Sequence, residues 1–392
     1  VTALLNVPAR TIIAAISDAA ERWRDADFPA RVRATQRIAE RTGYSIPVVE
    51  YALDRLFFAV DRASFEAVIA GELGEVEVLD GFRARSGRTA AWARPIGNVC
   101  VISSRTTIGV AMPAVLFALC AKCDVLVKDR EDSLIASFFE TLREELTEFA
   151  HAARAEPWHS HDENAPALDV FDAVVAFGQT ETLTSIRNAL AAEARFIGFG
   201  SRASAGYVSR ESLSKSGAAA EVARGAARDI VLYETEGCLS LHVLFVEDGG
   251  AVSAAEFSQT LQNEIARANI EFPRGEPGSG RLAQAAHART LGAFRKASDE
   301  NAPSEPPPFL PRLAHAIPVA NPADALEYLR RHGLALEGFA LADSRPDVTD
   351  MAVTAGAVRL TRFGELQSPP LAGEHGGRPR IAEFVRWTDK TF

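Results

Sequence analysis

Along the first 73 residues apolar positions recur at three- and four-residue spacing, through 12–23, 32–38 and 48–57, which predicts a run of amphipathic helices with Ser45 and Asp61 as N-caps. Between Glu75 and Arg94 the period shortens: Val76, Val78, Ala90 and Trp92 alternate with polar residues, which predicts a two-stranded surface ribbon suited to an oligomerisation arm. From Pro95 onward strands and helices alternate, with strands predicted at 98–103, 124–128, 172–177 and 195–199 and helices at 110–121, 134–149 and 181–191. That alternation predicts an α/β protein with a doubly wound parallel sheet. A further strand (241–246) and helix (254–268) follow, then Pro- and Gly-rich polar stretches at 272–280 and 302–311, and another strand and helix at 316–319 and 322–332. The expected organisation is a helical N-terminal region (1–74), the ribbon (75–94), a doubly wound domain (95–235), a second α/β domain (236–358) and a C-terminal segment returning to the arm (359–392).

Composition adds exclusions. With 392 residues, 47% hydrophobic and 24% charged, the chain has ample material for a core, and a net charge of -10 argues against nucleic acid or an anionic membrane surface as the main partner. No apolar run approaches the roughly 18 residues of a membrane span and no signal-peptide pattern opens the chain, so a cytoplasmic location is expected. Four cysteines (Cys100, Cys120, Cys123, Cys238) do not make a disulfide framework in so long a chain. Cys120 and Cys123 form a C-x-x-C with no second pair to complete a zinc site, and packing is the expected role. The cluster His159-Ser160-His161-Asp162 lies in a polar stretch and is expected to be a solvated loop, so no metal site is predicted.

In a doubly wound sheet, ligands bind at the carboxyl ends of the strands. Those ends carry Ser103-Ser104-Arg105, Lys128-Asp129-Arg130-Glu131, Gly178-Gln179-Thr180 and Gly198-Phe199-Gly200-Ser201, without a G-x-G-x-x-G or a P-loop, so a dinucleotide there would rely on helix N-termini. Farther on, Cys238 directly follows a glycine and precedes the apolar strand 241–246. A thiol at such a loop-to-strand junction is either a nucleophile, with surrounding backbone N–H groups directed at the carbonyl it attacks, or a packed core cysteine. His242, four residues on, is either a proton donor or a partner that lowers the thiol pKa, or a satisfied core histidine.

The order of features resembles the aldehyde dehydrogenase superfamily, and more closely its long-chain acyl-CoA reductase (LuxC-like) branch. The pieces are Arg94-Pro95-Ile96-Gly97-Asn98-Val99, Val125-Leu126-Val127-Lys128, Phe177-Gly178-Gln179-Thr180-Glu181, Gly200-Ser201-Arg202-Ala203-Ser204, Glu236-Gly237-Cys238-Leu239-Ser240, Leu366-Gln367-Ser368-Pro369-Pro370 and His375-Gly376-Gly377-Arg378-Pro379. The resemblance implies that 95–235 binds NAD or NADP in reduced form, that Cys238 takes an acyl group as a thioester, and that coenzyme A is the leaving group. It places Ser103, Ser104, Lys128, Glu131, Gly178, Gln179, Thr180 and Gly200 at the cofactor, with Lys128 and Glu131 at the ribose and 178–180 beside the pyrophosphate. Glu131 would repel a 2′-phosphate and favours NAD, against which Arg130 stands. The solvated charged turn is the other reading of 128–131. The implied partners are an acyl-CoA or other activated acyl substrate and further copies of the chain, as a homodimer or homotetramer.

Two departures from the pattern matter. Hydrolytic members carry a water-activating glutamate where this chain has Gly198, which implies resolution of the thioester by a thiol such as coenzyme A; close packing also explains a glycine there. The oxyanion asparagine after the first strand is missing, and the loop Ser104-Arg105-Thr106-Thr107 resembles S-R-P-N of glutamyl phosphate reductases. That offers Thr107 or Arg105 as the donor and makes an acyl phosphate the alternative substrate; a catalytically weakened binding or assembly protein is the alternative of another class.

Overall fold

A computed structural model describes residues 2–85, 89–104, 107–129, 134–158, 165–276 and 311–391. The chain forms two compact units, one of Val1–Thr42, Val49–Gly200 and Pro370–Phe392, the other of Gly43–Val48 and Ser201–Pro369.

The first unit begins with helices α1 (Ala9–Arg24), α2 (Pro29–Thr42), α3 (Ile46–Ala59) and α4 (Arg62–Leu73). Ile12, Ile13, Ile16 and Trp23 form the buried stripe of α1. The Trp23 indole N–H donates to Thr141 at 2.9 Å and its ring packs on Phe57 and Phe138. Asp61 caps α4 by accepting from the Ser64 N–H at 2.9 Å. The expected cap at Ser45 does not form, because that hydroxyl is buried without a hydrogen-bond partner. The expected strand at Val76 and Val78 is instead a 3₁₀ turn, Val76–Leu79, which buries Val76, Val78 and Leu79 together; a strand would send 78 and 79 to opposite faces.

The ribbon pairs β1 (Arg83–Ala84) with β2 (Thr89–Pro95), and the tail returns as β13 (Val385–Thr391), antiparallel to β2 over its whole length. The sheet of this unit contains β3 (Asn98–Ile102), β4 (Asp124–Lys128), β5 (Ala153–Glu156), β6 (Ala173–Phe177) and β7 (Arg195–Phe199). Its order is β5-β4-β3-β6-β7, all parallel. The connecting helices are α5 (Met112–Cys120), α6 (Leu134–Glu145), the single turn α7 (Phe149–Ala152) and α8 (Thr180–Asn188). Cys120 and Cys123 are both buried, and the Cys123 thiol donates to the Phe384 carbonyl at 3.4 Å, as packing requires. No group of ligating side chains suited to a metal exists among the described residues, and 159–162 lies outside them.

The second unit repeats the same topology. Its strands are β8 (Ala203–Val208), β9 (Leu241–Glu247), β10 (His315–Val319), β11 (Leu336–Leu341) and β12 (Arg359–Arg362), in the order β10-β9-β8-β11-β12, again parallel. The helices are α9 (Ser216–Val231), α10 (Ala254–Glu271), α11 (Pro322–Arg331) and α12 (Pro346–Thr354). Ala205, Tyr207, Val243, Phe245 and Phe339 bury one face of the sheet under α11 and α12; each large side chain so buried contributes roughly 1.5–3 kcal/mol. The units therefore divide between Gly200 and Ser201 rather than near 235. The reason is β8, whose A-S-A-G-Y-V sequence is fully buried yet poor in β-branched residues. As the central strand it carries β9 and β11 on its two sides and seeds the second sheet. The segment 359–392 is likewise divided, β12 lying in the second unit and β13 in the first.

Candidate active site

Cys238 lies in the loop that enters β9, at the amino edge of the second unit's sheet. The chain leaves α9 and winds through Tyr233, Glu234 and Thr235, whose φ values of 55°, 54° and 60° are left-handed. Three consecutive non-glycine residues there cost roughly 1–2 kcal/mol each, so the surroundings must hold them. The Arg312 backbone N–H donates to Thr235 Oγ1 at 2.8 Å, its Nε to Glu234 at 2.8 Å and an Nη to the Phe272 carbonyl at 2.7 Å. Thr235 Oγ1 in turn donates to the Ile230 carbonyl at 2.8 Å. A turn closed by the Ser240 N–H on the Gly237 carbonyl (3.0 Å) then presents Cys238.

The loop is tied to its neighbours on three sides. Ser204 Oγ donates to the Cys238 carbonyl at 2.8 Å and accepts from the Gly338 N–H at 2.9 Å. Gln367 donates to Ser240 Oγ at 2.8 Å and to the Asp229 carbonyl at 3.3 Å. The Asp229 carboxyl accepts from the N–H groups of Gly364 (2.6 Å) and Leu366 (3.2 Å), which seats the segment that carries Gln367; burial pushes this carboxyl up to about 8. Gly338 has no room for a side chain, since a Cβ would stand 2.7 Å from Leu366 and 2.9 Å from Ser204 Oγ.

Cys238 is half-buried. Burial, and secondarily the Glu337 carboxylate, push its thiol up to about 12, while hydrogen bonds from the backbone N–H groups of Cys238 and Leu239 and the charge of Arg202 pull the other way. The resting group is therefore a neutral thiol at the loop that enters β9.

Both ring nitrogens of His242 face backbone groups. Its Nδ1 accepts from the Ser204 N–H at 3.4 Å, which leaves Nε2 to donate to the Thr235 carbonyl at 3.0 Å. Burial pushes it down to about 4, so the ring is neutral and braces the loop.

In the first unit, Ser103 and Gly178 follow β3 and β6, the two strands at which the sheet order reverses. Ser103 is buried and donates its N–H to the Lys128 carbonyl at 3.3 Å; Ser104 accepts the Ser103 hydroxyl at 3.2 Å. Lys128 ends β4 with Nζ 5.3 Å from the Trp158 ring centroid. Gln179 is the exposed N-cap of α8, Thr180 opens the helix, and no side chain caps it. A Cβ on Gly178 or Gly200 would meet nothing closer than 3.6 Å, so both backbones are open to approach. These residues fit a dinucleotide: uncapped helix N–H groups for a phosphate, a cation at the strand end, and two accessible glycines. Thr107 is half-buried in this unit, while Arg105 and Glu131 lie outside the described residues.

Residues 4–298 match the family model described as acyl-CoA reductase (LuxC). The chain belongs to the LuxC acyl-CoA reductase family. It is thus an oxidoreductase acting on acyl groups, with an aldehyde dehydrogenase fold. A variant of the 1-pyrroline-5-carboxylate dehydrogenase of Thermus thermophilus superposes with a TM-score of 0.70 at 11% identity, covering 99% of this chain and 83% of the other. An NAD-dependent benzaldehyde dehydrogenase from Corynebacterium glutamicum gives 0.68 at 14% identity over 99% and 87%. The 1-pyrroline-5-carboxylate dehydrogenase from Thermus with bound NAD gives 0.69 at 12% over 98% and 82%. No curated protein matches the chain by sequence.

Within this LuxC-family chain, Gly198 is a packing glycine: a Cβ would stand 2.7 Å from the Phe196 ring. His375 stacks on Phe199 at 4.3 Å between centroids, and Phe199 on Phe177 at 4.8 Å, which covers the ends of β6 and β7; burial pushes His375 down to about 3. Sequence reasoning missed Ser204, Asp229 and Arg312. Ser204 and Gln367 stand inside quoted motifs, but no spacing rule links them to Cys238. No helix among the described residues is long and apolar enough to cross a membrane.

Proposed function

We propose that this chain reduces an acyl-CoA thioester to an aldehyde through a covalent thioester on Cys238, with a reduced nicotinamide cofactor as hydride donor. The observation that carries this reading is the half-buried thiol of Cys238 in a loop clamped by Ser204, Gln367 and Arg312. Sγ attacks the acyl carbonyl, the backbone N–H groups of Cys238 and Leu239 hold the developing oxyanion, and coenzyme A leaves. Lys128, Gly178, Gln179, Thr180 and Gly200 would hold the cofactor, with Ser103 and Ser104 beside them; when bound, it supplies hydride to the acyl carbon. Glu131 at the ribose favours NAD over NADP. Gly198 brings no carboxylate to activate water, which favours a thiol over water in resolving the thioester. Thr107 or Arg105 is the further oxyanion donor in this reading.

The test is NADH and NADPH oxidation against a chain-length series of acyl-CoA thioesters, with Cys238→Ala alongside and mass spectrometry of the wild-type protein after acyl-CoA alone. Turnover abolished in the variant, with an acyl adduct on Cys238 in the wild type, is the expected result. A folded protein that forms no adduct from any thioester overturns the reading.

A further inference from the structure

The turn that presents Cys238 is held by a segment far along the chain, and that segment is itself held by α9. Gly225 and Asp229 stand four residues apart on α9 and share one face of it. Against that face runs the chain that follows β12, with Gly364 in the left-handed region at φ 88°. Two glycines allow the approach. A Cβ on Gly225 would stand 2.6 Å from the Phe363 carbonyl oxygen, and one on Gly364 would stand 3.1 Å from the Gly225 Cα. One helical turn farther, the two carboxyl oxygens of the buried Asp229 each take a different N–H, from Gly364 at 2.6 Å and from Leu366 at 3.2 Å. From β12 the Arg359 guanidinium takes the carbonyls of Glu365 (2.7 Å), Leu366 (3.2 Å) and Ser368 (3.3 Å). Residues 364–368 belong to no helix or strand, yet their N–H groups and carbonyls are bound by these two side chains.

Gln367 stands inside this fixed segment and is buried. Its amide nitrogen has two hydrogens and two acceptors, the Asp229 carbonyl at 3.3 Å and Ser240 Oγ at 2.8 Å, so its orientation is set. Ser240, also buried, closes the turn by donating its N–H to the Gly237 carbonyl at 3.0 Å, with Cys238 between them. A continuous chain of hydrogen bonds therefore runs from α9 to the nucleophile turn. The Cys238 carbonyl is fixed separately, by Ser204 on β8. The backbone at the thiol and the side chain two residues beyond it are thus anchored to different parts of the second unit.

We propose that Gln367, seated by Asp229, is a positioning residue for Cys238: through Ser240 it sets the direction from which sulfur meets the acyl carbon. The proposal rests on the thioester reading above. Gln367 acts through the turn and not on the reacting atoms. A turn released at Ser240 keeps its thiol but loses its alignment, and a misplacement of about 1 Å costs on the order of 10²-fold in rate. The effect falls on the acylation step and not on the affinity for the acyl-CoA.

Release of coenzyme A in a single turnover with acyl-CoA, without cofactor, gives a limiting rate and a half-saturating concentration. Gln367→Met and Ser240→Ala should each lower the limiting rate by about 10–100-fold and leave the half-saturating concentration within about twofold. Because both break the same bond, the double variant should be no slower than Gln367→Met alone. Asp229→Asn presents an amide donor to one of the two N–H groups and should act in the same direction. Iodoacetamide alkylation of Cys238 in the substrate-free protein should speed up in these variants, as the loosened turn exposes the thiol. An unchanged limiting rate overturns the proposal, as do an effect confined to the half-saturating concentration and single effects that multiply in the double variant. Where Asp229→Asn does not fold, the cycle of Gln367→Met with Ser240→Ala decides. If the wild-type protein releases no coenzyme A, the thioester reading fails, and alkylation that is equally fast in the wild type and Gln367→Met then overturns the positioning role separately.

Discussion

Ser204 Oγ bridges two strands of chain, donating to the Cys238 carbonyl at 2.8 Å while accepting the Gly338 N–H at 2.9 Å. The Ser204 N–H meanwhile faces His242. One small side chain on the central strand therefore sets the position of the nucleophile loop relative to both of its flanking strands. Ser204→Ala removes both bonds and leaves a buried N–H and a carbonyl unpaired. It should cost about 1–3 kcal/mol by urea unfolding. Because sulfur and its backbone donors would shift together, acyl-CoA-dependent turnover should also fall, by about 10–100-fold.

His242 makes stability depend on pH in a stated direction. Its folded-state pKa of about 4 lies below the ordinary 6.5, so between these values the unfolded chain binds the proton more readily. The contribution is fully present above 6.5 and is lost as pH falls toward 4, with a magnitude on the order of 3 kcal/mol. Urea midpoints measured from pH 7.5 to 4.5 should show that slope. His242→Gln, which can still donate to Thr235 and accept from Ser204, should flatten it.

Arg312 is buried and holds the left-handed turn through Glu234, Thr235, Phe272 and Asn269. Arg312→Met leaves the half-buried Glu234 without this partner and releases a strained backbone, so a loss of about 3–5 kcal/mol is expected. Thermal unfolding and limited proteolysis between Leu232 and Ser240 check this. Cleavage no faster than in the wild type would count against the clamp.

At the other unit, Lys128→Ala removes the cation at the end of β4 and should weaken NADH binding by about tenfold while leaving Cys238 alkylation unchanged. Fluorescence titration is a direct reading, because Trp158 lies against Lys128. Unaltered NADH affinity would remove Lys128 from the cofactor site.

Much of the architecture is written in local patterns. The periodicity of residues 9–73 is that of a helical region, and the alternation after Pro95 is that of a doubly wound sheet, because apolar spacing reflects which face of each element is buried. The cysteine in G-C-L-S and the strand that follows it are equally local. What the sequence could not display is β8, whose small residues carry little strand preference but are buried by β9 and β11. Nor could it display three left-handed residues without a glycine, since their conformation is imposed by Arg312, 77 residues beyond Thr235. His242 reads along the chain as a candidate acid. Only the tertiary structure set its two nitrogens against Ser204 and Thr235, and brought Ser204 and Gln367 to the loop that carries the thiol. The sequence by itself determined which elements form and which thiol stands at a loop; long-range pairing and burial decided which side chains surround it and in which protonation state.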